Sequence, residues 1–117
     1  TFDLPPVAPI AIDNISRMGL TEKVEIRSGD FFKDPIPAAD VITMGNVLHD
    51  WGTKDKIMLI QKAYDALPEA GSLVVIENII DDNRDSNVFG LMMSLNMLLE
   101  THEGYDFSAL EFMAWAK

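Results

Sequence analysis

The sequence predicts an α/β fold built around a mostly parallel sheet. Three observations support this prediction. Short apolar runs suited to buried strands alternate with longer stretches in which apolar residues recur at helical spacing. Polar or acidic residues follow each apolar run, where a strand would end. The chain has 117 residues and is 48% hydrophobic, which suits one domain or part of one.

The first third of the chain contains two predicted strands and a helix. Residues 2–3 resemble the end of a strand that runs into a helix over 5–18, where prolines suit the first turn. Gly19 is placed to end that helix. Alternating polar and apolar residues over 23–27 predict the second strand. The order of these elements favours a Rossmann-like layer arrangement that lacks its first strand.

A nearly unbroken apolar run predicts a third strand over 40–48, covered on both faces by helices. A helix over 53–67 follows, with Thr53 as its expected N-cap. A fourth strand is predicted over 72–77, and a long amphipathic helix over 87–101. The expected apolar stripe of the first of these helices is Ile57, Ile60, Tyr64 and Leu67. The expected apolar face of the second is Val88, Leu91, Met92, Leu95, Leu98 and Leu99.

The charge and composition exclude several classes of protein. Nineteen acidic residues against nine basic ones give a formal net charge of −10, which would repel a polyphosphate, so we expect no nucleic-acid partner. Cysteine is absent, which removes disulfides and thiolate metal sites. There is no secretory signal and no run of 18 apolar residues, so we expect a cytoplasmic protein without a membrane partner.

Polar side chains gather where the predicted strands end. Asp3, Asp30 and Glu77 each follow a strand, and a fourth strand is followed by His49 and Asp50. In open α/β sheets ligands bind beyond the carboxyl ends of the strands. A glutamate beside a histidine can fix its tautomer and stabilise the imidazolium. A structural place at a helix entry is the competing interpretation of His49, and the neighbouring acids favour the chemical one.

Other chemistries fit the residues less well. The segment 81–85 begins like a calcium-binding loop, but Ser86 and Met92 occupy the positions that need glycine and a bidentate acid. His49, Asp50 and Glu77 could in principle hold a divalent metal, yet no second histidine is spaced to join them. We therefore expect no metal. No serine-hydrolase elbow is present.

Five segments occur in the order and spacing of one family. They are Phe2-Asp-Leu-Pro5, Gly29-Asp-Phe-Phe32, Val47-Leu-His-Asp-Trp51, Val74-Val-Ile-Glu77 and Ser94-Leu-Asn-Met97. They resemble the S-adenosyl-L-methionine-dependent O-methyltransferases of the plant caffeate and bacterial secondary-metabolite type, and especially the acetylserotonin-methylating branch. The resemblance covers nearly the whole chain, and five matches in register are far more specific than any one of them.

This resemblance implies how the cofactor, S-adenosyl-L-methionine (SAM), would be held. Asp3 would bind the ribose hydroxyls, and Gly29, Asp30 and Phe31 would bind the adenine. Asn46 stands near a position where relatives carry a lysine or arginine toward the cofactor. That contact is therefore expected to be weaker here, or to be made by the asparagine side chain.

The resemblance also implies the roles of the residues around the reaction. His49 would be the general base that deprotonates the acceptor hydroxyl. Glu77 matches one of two acids that flank this histidine, and the second falls at Asp106, where glutamate is commoner. Asp50 and Asn96 match positions that face the acceptor. A small hydroxylated aromatic acceptor is expected, because an apolar wall could be formed by Trp51, Met93, Met97 and Phe107.

By the same resemblance, residues 1–117 form part of a methyltransferase catalytic domain. The family's glycine-rich loop, its N-terminal dimerisation domain and its final strands are not among them. We therefore expect the full-length parent to be a homodimer, and the chain alone to bind SAM poorly and to be inactive. The alternatives are a catalytically degenerate scaffold with the same fold and, with less support, a dinucleotide oxidoreductase.

Overall fold

The computed structural model describes all residues from Thr1 to Lys117. The chain forms two compact units, Thr1–Pro37 and Ala38–Lys117, and each is described by itself. Every strand pairing in both units is parallel. The predicted α/β class with a parallel sheet is therefore confirmed.

The first unit contains two short strands and one helix. Strand β1 is Phe2–Asp3 and β2 is Arg27–Ser28. Between them a 3₁₀ turn, Pro5–Val7, leads into helix α1, Ala8–Arg17, so the predicted proline-opened helix is confirmed. Gly19 has a φ of 66°, the left-handed conformation that glycine adopts readily at a helix end. In the register, Phe2 lies opposite Arg27 and Asp3 opposite Ser28.

The predicted strand over 23–27 is wrong in extent. Only Arg27 of that segment belongs to β2, and residues 21–26 form a turn and irregular backbone. A strand continues only while it has a partner along the ladder, and β1 offers two residues. Backbone bonds extend the pairing by one step at each end, from Arg27 N to Thr1 O (2.8 Å) and from Gly29 N to Asp3 O (2.9 Å).

The second unit contains the remaining elements. Strand β3 is Val41–Gly45 and strand β4 is Ser72–Ile76. They pair along their whole length, from Val41 opposite Ser72 to Gly45 opposite Ile76. Helix α2, Thr53–Ala66, connects them, and helix α3, Val88–Glu100, follows β4. A last helix, α4, Ala109–Trp115, was not predicted, although Ser108 and Glu111 form a capping box at its start.

Strand β3 ends three residues earlier than predicted. Asn46 turns the chain with a φ of 51°, a left-handed conformation that asparagine tolerates better than most residues. A 3₁₀ turn, Leu48–Asp50, follows directly and carries His49 just beyond the end of the strand. Thr53 is not the N-cap of α2: Gly52 holds that position, and the Thr53 hydroxyl bonds to the hydroxyl of Tyr105.

Strand β3 is buried on one face only, so the prediction of a strand covered on both faces is wrong within this unit. Ile42 and Met44 point into the core. Side chains alternate across a strand, which places Val41 on the opposite face, where it is 54% exposed. Val74 and Ile76 of β4 are exposed in the same way. No element of this unit covers that side of the sheet.

The predicted apolar stripe of α2 is also wrong. Ile60 is buried, but Ile57 and Tyr64 are exposed. The stripe that packs inward is shifted by about one residue and begins with a lysine. It consists of Lys56, Leu59, Ile60 and Ala63. Lysine can occupy this face because its ammonium group finds polar and aromatic partners inside the unit, as described below.

Helix α3 packs with a different face from the one predicted. Its inward side carries Gly90, Ser94 and Met97, and of the predicted apolar residues only Leu91 is half-buried. A side chain at Gly90 would come within 2.6 Å of Ile80 Cγ2, so glycine allows a close approach that no larger residue could make. Most of the predicted apolar face is exposed within this unit: Val88, Met92, Leu95, Leu98 and Leu99. None of the helices is both long and apolar enough to cross a membrane.

Candidate active site

The carboxyl ends of β3 and β4 bring His49 and Glu77 together, as the sequence predicts. Glu77 follows β4 directly, and its side chain is 1% exposed. Its Oε1 accepts hydrogen bonds from the backbone N–H groups of Val47 (3.0 Å) and Leu48 (2.8 Å). Its Oε2 lies 3.0 Å from His49 Nδ1. One carboxylate therefore holds the turn and faces the histidine that the turn carries.

A second buried acid, Asp106, approaches the same ring nitrogen. It lies between α3 and α4, it is fully buried, and its Oδ1 is 3.6 Å from His49 Nδ1. The backbone N–H of Asp106 donates to Ser94 Oγ (3.1 Å), which fixes this segment against α3. Burial raises the pKa of the Asp106 carboxyl above its usual value, and attraction to His49 opposes that rise. The structure thus brings Asp106 to the same side of His49 as Glu77, and the role that the resemblance implies for it stays a prediction.

The two ring nitrogens of His49 lie in different surroundings. Nδ1 faces Glu77 and Asp106, and neither contact has the geometry of a hydrogen bond. Nε2 lies 3.3 Å from Oδ1 of Asp50, whose side chain is 41% exposed. Two carboxylates on one side favour a proton on Nδ1, which leaves the lone pair on Nε2 as the acceptor.

The same cluster raises the question of a metal ion. The ligand atoms of His49, Glu77 and Asp106 lie within 4.8 Å of one another, which by itself would also suit a divalent cation. The set offers one histidine and no cysteine, however, and Oε1 of Glu77 already accepts two backbone hydrogen bonds. We therefore keep the prediction that this site works without a metal.

The sequence reasoning missed Lys56. This residue of α2 is completely buried, and its Nζ donates to the carbonyl oxygen of Tyr105 (2.8 Å). Burial lowers the pKa of the Lys56 ammonium to about 8, and attraction to Asp106 opposes that change. A signal was present in the sequence, because Lys56 occupies the first position of the 56, 59, 60, 63 stripe. A stripe defined by apolar residues alone does not include it.

Two further predicted site residues of this unit are Asn46, which lies near the turn, and Asn96, which lies on a neighbouring helix. Asn46 precedes the turn, and its backbone N–H donates to Ile76 O (3.0 Å). Asn96 is half-buried on α3, a helix that contacts the turn Leu48–Asp50. The structure therefore does not test the cofactor and acceptor contacts implied for these two residues, and both stay predictions.

The expected apolar wall for the acceptor is only partly available. Phe107 and Met97 are 1% and 5% exposed, because side chains of their own unit cover them. These two are wrong as wall residues within this unit. Trp51 and Met93 are half-buried. An open cavity of about 560 Å³ lies beside Asp50 and Trp51.

In the first unit, the strand pairing brings two of the predicted cofactor residues together. Gly29 N donates to Asp3 O (2.9 Å), so the ends of β1 and β2 lie side by side. A side chain at Gly29 would come within 2.5 Å of the Phe2 ring, so a larger residue here would need that ring to move. Asp3 is exposed, and its Oδ1 accepts from Leu4 N (2.7 Å).

Asp30 and Phe31, the next two predicted cofactor residues, follow Gly29 at the end of β2. Asp30 Oδ1 accepts from Phe32 N (3.0 Å), and its Oδ2 forms an ion pair with Lys33 Nζ (2.7 Å). The ring of Phe31 packs edge-on against that of Phe32, with centroids 4.8 Å apart. At the end of paired strands, carboxylates can accept hydrogen bonds from ribose hydroxyls, and an aromatic ring can stack on a base.

Comparison with known proteins gives one consistent result. Residues 1–117 match the family model described as an O-methyltransferase domain. The chain is 38% identical over 114 residues to the tetracenomycin polyketide synthesis 8-O-methyltransferase of Streptomyces glaucescens, covering 97% of this chain and 34% of that protein. It therefore spans about a third of that relative's length.

Two solved structures are similar to the fold as well as to the sequence. An O-methyltransferase family 2 protein from Planctomyces limnophilus, in complex with apigenin, has a TM-score of 0.91 and 33% identity, over 97% of this chain and 34% of that chain. Human N-acetylserotonin methyltransferase in complex with SAM has a TM-score of 0.88 and 33% identity, over 98% of this chain and 32% of that chain.

Proposed function

Because this chain belongs to the SAM-dependent O-methyltransferase family, we propose that residues 1–117 are part of a methyltransferase catalytic domain in which His49 is the general base. The observation that carries the proposal is the asymmetry of the His49 ring. Nδ1 faces two buried carboxylates, and Nε2 faces the more open side with Asp50. This arrangement prepares one nitrogen to accept a proton.

SAM, when bound, supplies a methyl group that is already electrophilic. The protein then has to align an acceptor oxygen with that methyl group and remove the proton from the oxygen. In this proposal Nε2 of His49 takes the proton, and Glu77 and Asp106 stabilise the imidazolium that results. Alignment contributes up to about 7–11 kcal/mol, and a positioned base contributes roughly 10²–10⁴-fold in rate.

The residues at the end of β1 and β2 suit the cofactor. We assign the ribose hydroxyls to Asp3 and the adenine to Gly29, Asp30 and Phe31, with Asn46 as a further contact. The exposed carboxylate of Asp3 supports this assignment, because only its Oδ1 accepts a hydrogen bond from the chain. Carboxylate oxygens are the usual partners of ribose hydroxyls in such sheets.

We further propose that the acceptor is a small hydroxylated aromatic compound, contacted by Asp50 and Asn96. The apigenin complex and the N-acetylserotonin enzyme support this class, since both names refer to aromatic compounds. The open cavity beside Asp50 and Trp51 has room for such a molecule. We also propose that the full-length protein is a cytoplasmic homodimer.

The test uses the full-length protein with SAM and a panel of phenols, and mass spectrometry of the methylated product. We expect transfer to at least one phenol, and a fall in kcat of roughly 10²-fold or more in His49→Gln. Glu69→Gln is the control, because Glu69 is exposed and lies outside the lining of that cavity. Normal turnover by His49→Gln would return His49 to a structural role. SAM binding without transfer to any phenol would favour the degenerate scaffold.

A further inference from the structure

Lys56 is a buried charged residue that the mechanism above does not use. It lies in the first turn of α2, and no part of it reaches solvent. Its Nζ is 3.2 Å from the centroid of the Tyr105 ring and 5.3 Å from that of Phe107. An ammonium group is costly to bury unless it is hydrogen-bonded and paired with opposite charge. The rings supply part of the compensation through cation–π attraction.

The rest of the compensation comes from carboxylates. Asp106, Glu111 and Glu77 all attract the Lys56 ammonium. Burial lowers the pKa of this lysine to about 8, so the group is still mostly charged at neutral pH. Among the three carboxylates, Asp106 is the one whose two neighbours in the chain both contact Lys56. Lys56 hydrogen-bonds to the residue before it, and its Nζ approaches the ring of the residue after it.

We propose that Lys56 is a positioning residue for His49. Its ammonium group fixes the segment that carries Asp106, and it supplies the positive charge that balances Asp106 and Glu77. This inference deepens the proposed function and rests on it, since it concerns how His49 is kept ready to act as a base.

The physical reason is the charge around His49. Glu77, Asp106 and Asp50 each place a carboxylate oxygen within 3.6 Å of a ring nitrogen of His49. A protonated ring cannot accept a proton from the acceptor. The Lys56 ammonium attracts two of these carboxylates, Asp106 and Glu77, while Glu111 of α4 and the Tyr105 ring face Lys56 itself. Removal of Lys56 would leave the carboxylates unbalanced, so His49 would hold its proton to higher pH.

The test measures the titration of His49 directly. In full-length Lys56→Met, nuclear magnetic resonance of the histidine ring protons should show the His49 midpoint moved upward by roughly 0.5–1 pH unit. The signal is assigned by its loss in His49→Gln, and exposed His102 is an internal reference that should not move. Lys54→Met is the matched control, because it removes an exposed lysine from the same helix turn. The acid limb of kcat/KM should move with the midpoint.

A second variant separates charge from packing. Lys56→Gln is neutral but still carries a donor for the Tyr105 carbonyl, so we expect the same upward shift. An unchanged His49 midpoint in either folded variant would overturn the proposal, as would failure of both variants to fold, since Lys56 would then be a packing residue. An upward shift together with normal turnover by His49→Gln would remove the proposed function, and only the effect of the Lys56 charge on the His49 ring would stand.

Discussion

The carboxylate of Glu77 makes two separate contacts, one with the turn that carries His49 and one with the His49 ring. Oε1 of Glu77 accepts the N–H groups of the two residues that lead into the turn, and Oε2 lies 3.0 Å from Nδ1 of the histidine in that turn. The group that shapes the turn therefore also faces one ring nitrogen of the histidine that the turn carries.

The first prediction follows from this double role. In Glu77→Gln the amide oxygen can keep the backbone hydrogen bonds, which places the NH₂ group toward Nδ1. That group can only donate, so it favours the tautomer with the proton on Nε2, and the accepting lone pair is lost. We expect kcat of the full-length enzyme to fall about 10–10²-fold, less than in His49→Gln. Glu69→Gln, at an exposed position, serves as the control in the same steady-state assay.

The second prediction separates cofactor binding from turnover. Asp30→Ala should raise the apparent KM for SAM by roughly tenfold, the scale of about 1.4 kcal/mol, with less effect on kcat at saturation. Because Asp30 Oδ1 also accepts from Phe32 N, Asp30→Asn is needed to keep that bond while removing the charge. Asp82→Ala, in an exposed loop, is the control. A fall in kcat with unchanged KM would contradict the assignment.

The third prediction concerns stability and pH. The pKa of Asp106 is raised by burial, so the folded state holds its proton more tightly than the unfolded state does. Its contribution to stability is complete below the unfolded pKa and is lost as pH rises through the folded value. We therefore expect Asp106→Asn to melt roughly 2–4 °C higher than the wild type at pH 7. The difference in melting temperature should shrink toward pH 4. The rate of methyl transfer by Asp106→Asn should be lower than that of the wild type. A lower melting temperature at pH 7 would contradict it.

The fourth prediction concerns residues 1–117 as an isolated polypeptide. One side of the β3–β4 sheet and the outer face of α3 expose apolar side chains within the second unit, among them Ile76 at 60% and Leu99 at 79%. Exposed apolar patches of this kind favour association. We expect self-association in light scattering at high concentration. The double variant Ile76→Thr and Leu99→Gln should reduce it, and a cooperative monomer of the unaltered chain would refute the expectation.

The sequence by itself determined the order of elements and the edge at which the chemistry gathers. Local periodicity and proline position were enough for α1, α2, β3, β4 and α3, because these features depend on neighbours along the chain. The pairing of His49 with Glu77 also followed from sequence. Parallel strands place their carboxyl ends at one edge, so polar residues after successive strands meet whenever those strands pair.

Only the tertiary structure decided which faces are buried and how the charges in the site are balanced. Helix α3 carries apolar residues on more than one side, and the close approach at Gly90 selects the inward face. Lys56 is buried because Tyr105, 49 residues later, supplies a carbonyl and a ring for its ammonium. Such contacts join distant parts of the chain, so no local pattern encodes them. The cost of burying a charge is met only where those parts come together.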